Sequence, residues 1–236
     1  MPIKRPQLVN GEIYHIVIRA IEELKLFRNK ENCFRMIHDL FEFNDVDSVS
    51  STPRWQMNKS PSRTVLANID RKKRKILVEI LAFCLMPNHV HLLVRQVRDG
   101  GISKFMRKIG AGYGLYYNQK YKRSGHVFQG RYRMVHIKNE NQLKTVFVYI
   151  HTNPVAIVVP HWKEKGIKNY KKAIGFLEKY RWSSYLDYLD KKNFPSLTSR
   201  EFLTKEMGGV KECKKFVDGW LKFKQELADF DRVAIE

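Results

Sequence analysis

The sequence predicts an α+β fold in which an antiparallel sheet of split βαβ type carries a C-terminal helical appendage. Three observations predict it. Short β-branched runs alternate in polarity, longer segments of helical period separate them, and near residue 160 the pattern changes to Lys-rich amphipathic helices. Residues 14–19 (YHIVIR) alternate and follow the Asn10-Gly11 turn signal, so they form a strand. Residues 29–43 place Phe34, Ile37, Leu40 and Phe41 at helical period. Residues 44–63 are dominated by Asp, Ser, Thr and Asn with two prolines and are expected to be a long, flexible surface insertion. Basic residues 71–75 lead into an apolar strand at 76–85, and Pro87-Asn88 connects it tightly to a strand at 89–95, which makes a hairpin.

Residues 102–121 form the next helix, weakened in its middle by Gly110, Gly112 and Gly114 and broken at Ser124-Gly125-His126. A fourth strand covers 133–138, and a helix over 140–151 runs until Asn153-Pro154 stops it. The order strand, helix, strand, strand, helix, strand is the ferredoxin-like split βαβ arrangement, with helices on one face of the sheet. The length suits one such core, residues 1–160, with an appendage at 161–236 containing amphipathic helices around 200–207 and 211–227. Trp182 and Tyr185 are expected to anchor that appendage on the core.

The chain's 236 residues include 44 Lys+Arg against 24 Asp+Glu, a formal net charge of +20, so its partner is a polyanion. Nucleic acid is favoured over a membrane surface, because no apolar run approaches the ~18 residues of a span and no secretory h-region opens the chain. A cytoplasmic location is expected. Cys33, Cys84 and Cys213 lie far apart, which excludes a disulfide framework and a Cys-x-x-Cys metal knuckle.

The basic excess is concentrated. Between residues 101 and 138 stand nine Lys/Arg and no Asp or Glu: Lys104, Arg107, Lys108, Lys120, Lys122, Arg123, Arg131, Arg133 and Lys138. Phe105, Tyr113, Tyr116, Tyr117, Tyr121, Phe128 and Tyr132 are interleaved with them. Cations that track a backbone beside aromatic faces that stack bases suit a single strand. The bland alternative is a solvated helix face over an ordinary aromatic core, but such a face mixes charge signs.

Residues 86–94 read MPNHVHLLV. In a strand, alternate side chains share a face, so His89 and His91 point one way while Val90, Leu92 and Val94 point the other. Two adjacent imidazoles can chelate a divalent ion, although a bare His-x-His pair is common. Residues 149–155 read YIHTNPV, and the four-residue spacing puts Tyr149 and Asn153 on one helix face. Were that helix to pack beside the sheet, the Asn153 amide oxygen would complete a three-ligand site with His89 and His91. Tyr149 would then face a metal-polarised phosphodiester, which compensates for the weak nucleophilicity of a phenol at neutral pH. His126 and His136 read as structural or phosphate-contacting residues, and His15, His38 and His161 as ordinary ones.

The strings MPNHVHLLV, SGHVFQGRYR (residues 124–133) and YIHTNPV, in that order, closely resemble the REP-associated tyrosine transposases. These are single-tyrosine transposases of the HUH superfamily. The resemblance spans roughly residues 11–185 and implies that the core over 1–160 is a transposase domain. It implies Mg²⁺ or Mn²⁺ held by His89, His91 and Asn153, with Tyr149 as the catalytic nucleophile. The implied activity is a metal-dependent single-stranded DNA endonuclease and strand transferase, acting at hairpin-flanked sites through a 5′-phosphotyrosine link in DNA transposition and recombination. The nine basic residues become the DNA-binding set, and the implied partner is single-stranded or hairpin DNA, bound by a monomer or homodimer. Related insertion-sequence enzymes generally carry Gln where this chain has Asn153, and the 44–63 insertion and the tail depart from the usual pattern. Two other readings stay open: a non-catalytic hairpin DNA or RNA-binding module, and a phosphodiesterase that activates water at His89 and His91. Tyr117 and Tyr121 also stand four apart, but as part of an i, i+4, i+8 stripe with Tyr113 that packing explains.

Overall fold

A computed structural model describes residues 7–47 and 74–233. Residues 48–63 of the expected insertion therefore lie outside the described residues, while 44–47 form bends after the first helix. The elements in chain order begin β1 (Ile13–Arg19), α1 (Lys30–Glu42), β2 (Val78–Met86), β3 (His89–Gln96), α2 (Gly101–Lys120), β4 (Arg133–Ile137) and α3 (Glu140–Thr152). Six helices follow: α4 (Val155–Val158), α5 (Trp162–Lys165), α6 (Tyr170–Leu177), α7 (Tyr185–Tyr188), α8 (Arg200–Glu206) and α9 (Val210–Val233). The four strands form one sheet in the order β2-β3-β1-β4, and every neighbouring pair is antiparallel. This is the ferredoxin-like order expected from the sequence. Among the described residues no helix is long and apolar enough to cross a membrane.

Alternation in the strands divides the molecule into two cores. Tyr14, Ile16 and Ile18 of β1 and Val90, Leu92 and Val94 of β3 meet α1 and α2 on one face. Leu93 of β3 and Ala82, Cys84 and Met86 of β2 meet α3 and the C-terminal helices on the other. Helices on one face are thus only half of the arrangement. Because both faces are covered, β2 reads VEILAFCLM, a nearly continuous apolar run rather than an alternating one.

The helices start where short polar side chains cap them. The Asn29 side chain accepts from the Asn32 amide at the head of α1, and Asn139 accepts from Gln142 at the head of α3, each satisfying an otherwise orphaned N–H. The stripe of α1 is rotated from the expected one. Cys33, Met36, Ile37 and Leu40 are buried, whereas Phe34 is half exposed and stands edge-on to Trp182 at 5.0 Å. The tail therefore uses Phe34 as a contact, and its apolar character is satisfied there.

Helix α2 runs unbroken through its glycines. Gly112 is where the Phe43 ring lies against the helix, so a Cβ there would overlap the ring. Gly101 is held more rigidly, since a Cβ would meet the Leu77 carbonyl oxygen of the backbone. Gly101→Ala is accordingly expected to cost ~1–3 kcal/mol, read as a lower urea midpoint with an unchanged m-value.

The exposed edge of the sheet at β2 is closed by the C-terminal segment. The Leu85 amide donates to the Trp182 carbonyl at 2.8 Å, Ser184 N–H to Phe83 at 3.0 Å and Ser199 N–H to Ile80 at 2.9 Å. The Tyr180 and Tyr188 hydroxyls donate to the Leu85 and Leu81 carbonyls at 2.6 and 2.5 Å. Tyr185 is fully buried and Trp182 packs on the first core.

Candidate active site

The cross-strand register assembles a polar row on the face that α3 covers. Arg19 pairs with His89 and Val17 with His91, and on the far side of β1 Val17 also pairs with Arg133. His15, one step along β1 in the same phase, reaches His91 diagonally. Its Nε2 lies 3.0 Å from His91 Nδ1, and the rings stack at 5.2 Å between centroids with 14° between their planes.

The two expected ligand histidines are each fixed through one ring nitrogen. His89 Nδ1 lies 2.7 Å from Asn88 Oδ1; that oxygen can only accept, so Nδ1 carries the proton and Nε2 keeps its lone pair. His91 uses Nδ1 on His15, and its buried Nε2 has no hydrogen-bond partner. Burial lowers His15 to about 4. Burial, helped by the positive charges of Arg19 and Lys163, lowers His89 to about 4. Burial is also the main cause that holds His91 well below the ordinary imidazole value, with His89 and His15 adding to it. At neutral pH all three rings are uncharged, the state a metal requires.

Helix α3 packs on β2 and β3 and brings its C-terminal turn to this row. The Tyr149 ring meets His91 edge-on at 5.5 Å and His15 at 5.9 Å, and the residue is 39% exposed. Asn153 caps α3 and is 3% exposed. Its Oδ1 accepts from Lys163 Nζ at 2.8 Å, while its Nδ2 is buried with no partner. As the Asn153-Pro154 pair predicts, α3 ends at Thr152, and Pro154, with φ −60°, leads directly into the short helix α4. Together Arg19, His89, His91, Tyr149, Asn153 and Lys163 line a cleft of about 280 Å³, with His161, Trp162 and Glu164 at its side.

Among the described residues no three His, Cys, Asp or Glu side chains are grouped to hold an ion. The donor set here is different in kind: two neutral imidazoles, each with Nδ1 already engaged, and one carboxamide. The orphaned His91 Nε2 is the observation that fits a divalent cation, since a buried polar nitrogen without a partner is otherwise costly.

The basic segment divides. Lys104 donates to the Val46 carbonyl at 2.6 Å, and Lys108 to those of Asp45 and Asp47 at 2.5 and 2.8 Å. Lys120 pairs with Glu31 at 2.6 Å. Three of the expected DNA contacts thus fasten α1 and the chain after it. Arg107 and Arg131 line a separate cleft of about 630 Å³ between α2 and the 125–132 loop, and Arg133 lies in the row with Val17 and His91. Lys122 and Lys138 are exposed, and Arg123 donates to Asn118 at 3.0 Å. The expected stacking role fails for Phe105, Tyr113 and Tyr117, which are 0%, 0% and 2% exposed and belong to the first core. They fill the inward stripe of α2.

Four contributors were not marked by the sequence. His15 and Arg19 share a phase in β1, opposite Tyr14, Ile16 and Ile18, so alternation marked them as facing the histidine pair once the pairing was known. Lys163 lies in a Lys-rich stretch without a distinguishing motif. His161, expected to be ordinary, lines the cleft.

The fold and the cleft define a class: a split βαβ sheet carrying a histidine pair, with a tyrosine and a carboxamide presented by the helix after the fourth strand. Residues 53–153 match the family model described as "Transposase IS200 like". Among solved structures, the chain is similar to a REP-associated tyrosine transposase bound to a REP hairpin, with 14% identity over 85% of this chain and 93% of that one and a TM-score of 0.49. It is also similar to a protein from Deinococcus radiodurans R1 classed with the transposases, with 13% identity over 61% of this chain and 92% of that one and a TM-score of 0.36. A search of curated proteins returns no match.

Proposed function

We propose that this protein is a metal-dependent single-stranded DNA endonuclease and strand transferase that acts at hairpin-flanked sites. The observation that carries the reading is the convergence of Tyr149, His89, His91 and Asn153 on one cleft, with the tyrosine ring edge-on to His91. In this reading the Tyr149 oxygen forms a bond to phosphorus, the bond from phosphorus to the 3′-oxygen breaks, and the departing 3′-oxygen takes up a proton. The product is a 5′-phosphotyrosine link and a free 3′-hydroxyl; attack by a 3′-hydroxyl on that phosphorus breaks the bond to the tyrosine oxygen, which takes up a proton, and reseals a strand. His89, His91 and Asn153 would hold Mg²⁺ or Mn²⁺, which supplies charge stabilisation to the phosphate. Asn88 fixes the His89 imidazole in a ligating tautomer, His15 engages Nδ1 of His91 and leaves its Nε2 toward the site, and α3 positions the tyrosine beside them. The test is incubation with single-stranded hairpin oligonucleotides and Mg²⁺ or Mn²⁺, scored on a denaturing gel for a covalent protein–DNA adduct. Tight binding with no adduct in either metal would instead support a hairpin-binding module.

Arg131 and Arg133 stand as the phosphate contacts of this reading. Arg131→Ala is expected to weaken hairpin binding and to reduce the slope of log affinity against log salt by about 1. Titrations at two or more salt concentrations measure it, and an unchanged slope would remove Arg131 from the interface.

A further inference from the structure

Lys163 stands where the proposed chemistry requires a different cation. Its Nζ lies 2.8 Å from Asn153 Oδ1 and 4.2 Å from the centroid of the Tyr149 ring, so one ammonium touches both the third expected ligand and the expected nucleophile. Asn153 is almost fully buried, and its oxygen is the only donor atom it can offer a metal. Among the described residues Lys163 forms no ion pair with a carboxylate, so its polar partner in the cleft is that oxygen. Its backbone is tied separately, because the Lys163 carbonyl accepts from Lys224 Nζ of α9 at 2.8 Å. The side chain can therefore leave while α5 stays in place.

We infer that Lys163 is a resident counter-cation that competes with the divalent ion for Asn153 and is released by the phosphate of the incoming strand. The inference rests on the metal-dependent reading above and adds a control to the same site. An ammonium and a divalent ion cannot both contact one buried amide oxygen, because their repulsion is strong where water is scarce. Without DNA, the ammonium satisfies the Asn153 oxygen and lies over the negative face of the tyrosine ring. A phosphate entering the cleft offers that ammonium a full negative charge, and the four-carbon stem lets it swing there. Asn153 then becomes free for the metal. Strand and metal binding are consequently coupled, and the coupling is reciprocal: each tightens the other by the same factor. The device keeps a nucleophilic site from assembling around free metal alone.

The experiment is Mn²⁺ binding to the full chain, followed by electron paramagnetic resonance of the free ion, with and without a hairpin oligonucleotide and with the oligonucleotide alone as blank. Wild type is expected to bind Mn²⁺ weakly alone and at least about tenfold more tightly with DNA, within the usual span of coupling. Lys163→Met, which keeps the stem and removes the charge, is expected to bind Mn²⁺ tightly without DNA and to lose most of the increment. Lys163→Arg should retain the coupling. Equal Mn²⁺ affinities for wild type and Lys163→Met, with no change on adding DNA, overturn the inference and leave the metal site standing. Absence of Mn²⁺ binding by either folded protein overturns the metal reading and the inference together.

Discussion

Tyr149→Phe is expected to eliminate the covalent adduct with single-stranded hairpin DNA while leaving hairpin binding little changed. The substitution removes one oxygen and keeps the ring that meets His91, His15 and Lys163. Since Tyr149 is 39% exposed, the oxygen contributes little to folding, so loss of activity would not report loss of structure. Removing a nucleophile from an enzyme that uses it typically costs ~10³-fold or more in rate, beyond the reach of small repositioning effects. A denaturing gel reads the adduct, and a native titration reads the binding. Cleavage that survives in the Phe protein would mean that water attacks, and the cleft would then be a phosphodiesterase site. The two outcomes differ in a covalent bond, so the result is not a matter of degree.

A chain ending at residue 160 is expected to lose cooperative folding altogether, although the sequence invites a cut there. Trp162, Leu177, Tyr185, Tyr188, Leu203, Val217 and Leu221 are all within 1% of full burial, and they share one core with Leu93 of β3 and Phe147 of α3. Each such side chain contributes ~1.5–3 kcal/mol of burial. The whole molecule holds only ~5–15 kcal/mol, so losing several exceeds the margin. The cut also strips β2 of its hydrogen bonds to Trp182 and Ser199, and His151 of its 2.8 Å bond to Ser184. A urea titration of the 1–160 fragment should show no sigmoidal transition. A sharp transition would establish the tail as a separable appendage.

The sheet was legible in the sequence because its strands announce themselves by alternation, and the βαββαβ order then admits few topologies. His89, His91, Tyr149 and Asn153 were legible because spacing places each pair on one face. What spacing cannot supply is the partner across a sheet. His15 looked ordinary until β1 paired with β3, and Arg19 became a wall of the cleft only through the Arg19–His89 register. The basic segment misled in the opposite direction. Net charge does not distinguish a lysine that meets phosphate from one that meets a backbone carbonyl, which is where Lys104 and Lys108 point. Phe105, Tyr113 and Tyr117 among them follow the inward stripe of α2, a periodicity the segment's charge obscured. The second helical layer was legible only in part: amphipathic period marked the helices around 200–207 and 211–227, but α4 to α7 are short, and the apolar residues that seat the tail on the sheet are spread between 162 and 221.

The closure of the β2 edge bears on how the chain is made. A ribosome delivers β2 early, and its open edge is an apolar, nine-residue strand of the kind that recruits other strands. The residues that seal it, from Tyr180 to Ser199, emerge only after about a hundred residues of further synthesis, on the order of ten seconds at usual rates. Throughout that interval the nascent chain already carries both histidines and, for its later part, the tyrosine, yet it is sticky where the finished protein is sealed. Slow codons or early termination in the last third would therefore show first as insolubility, before any defect in chemistry could be seen.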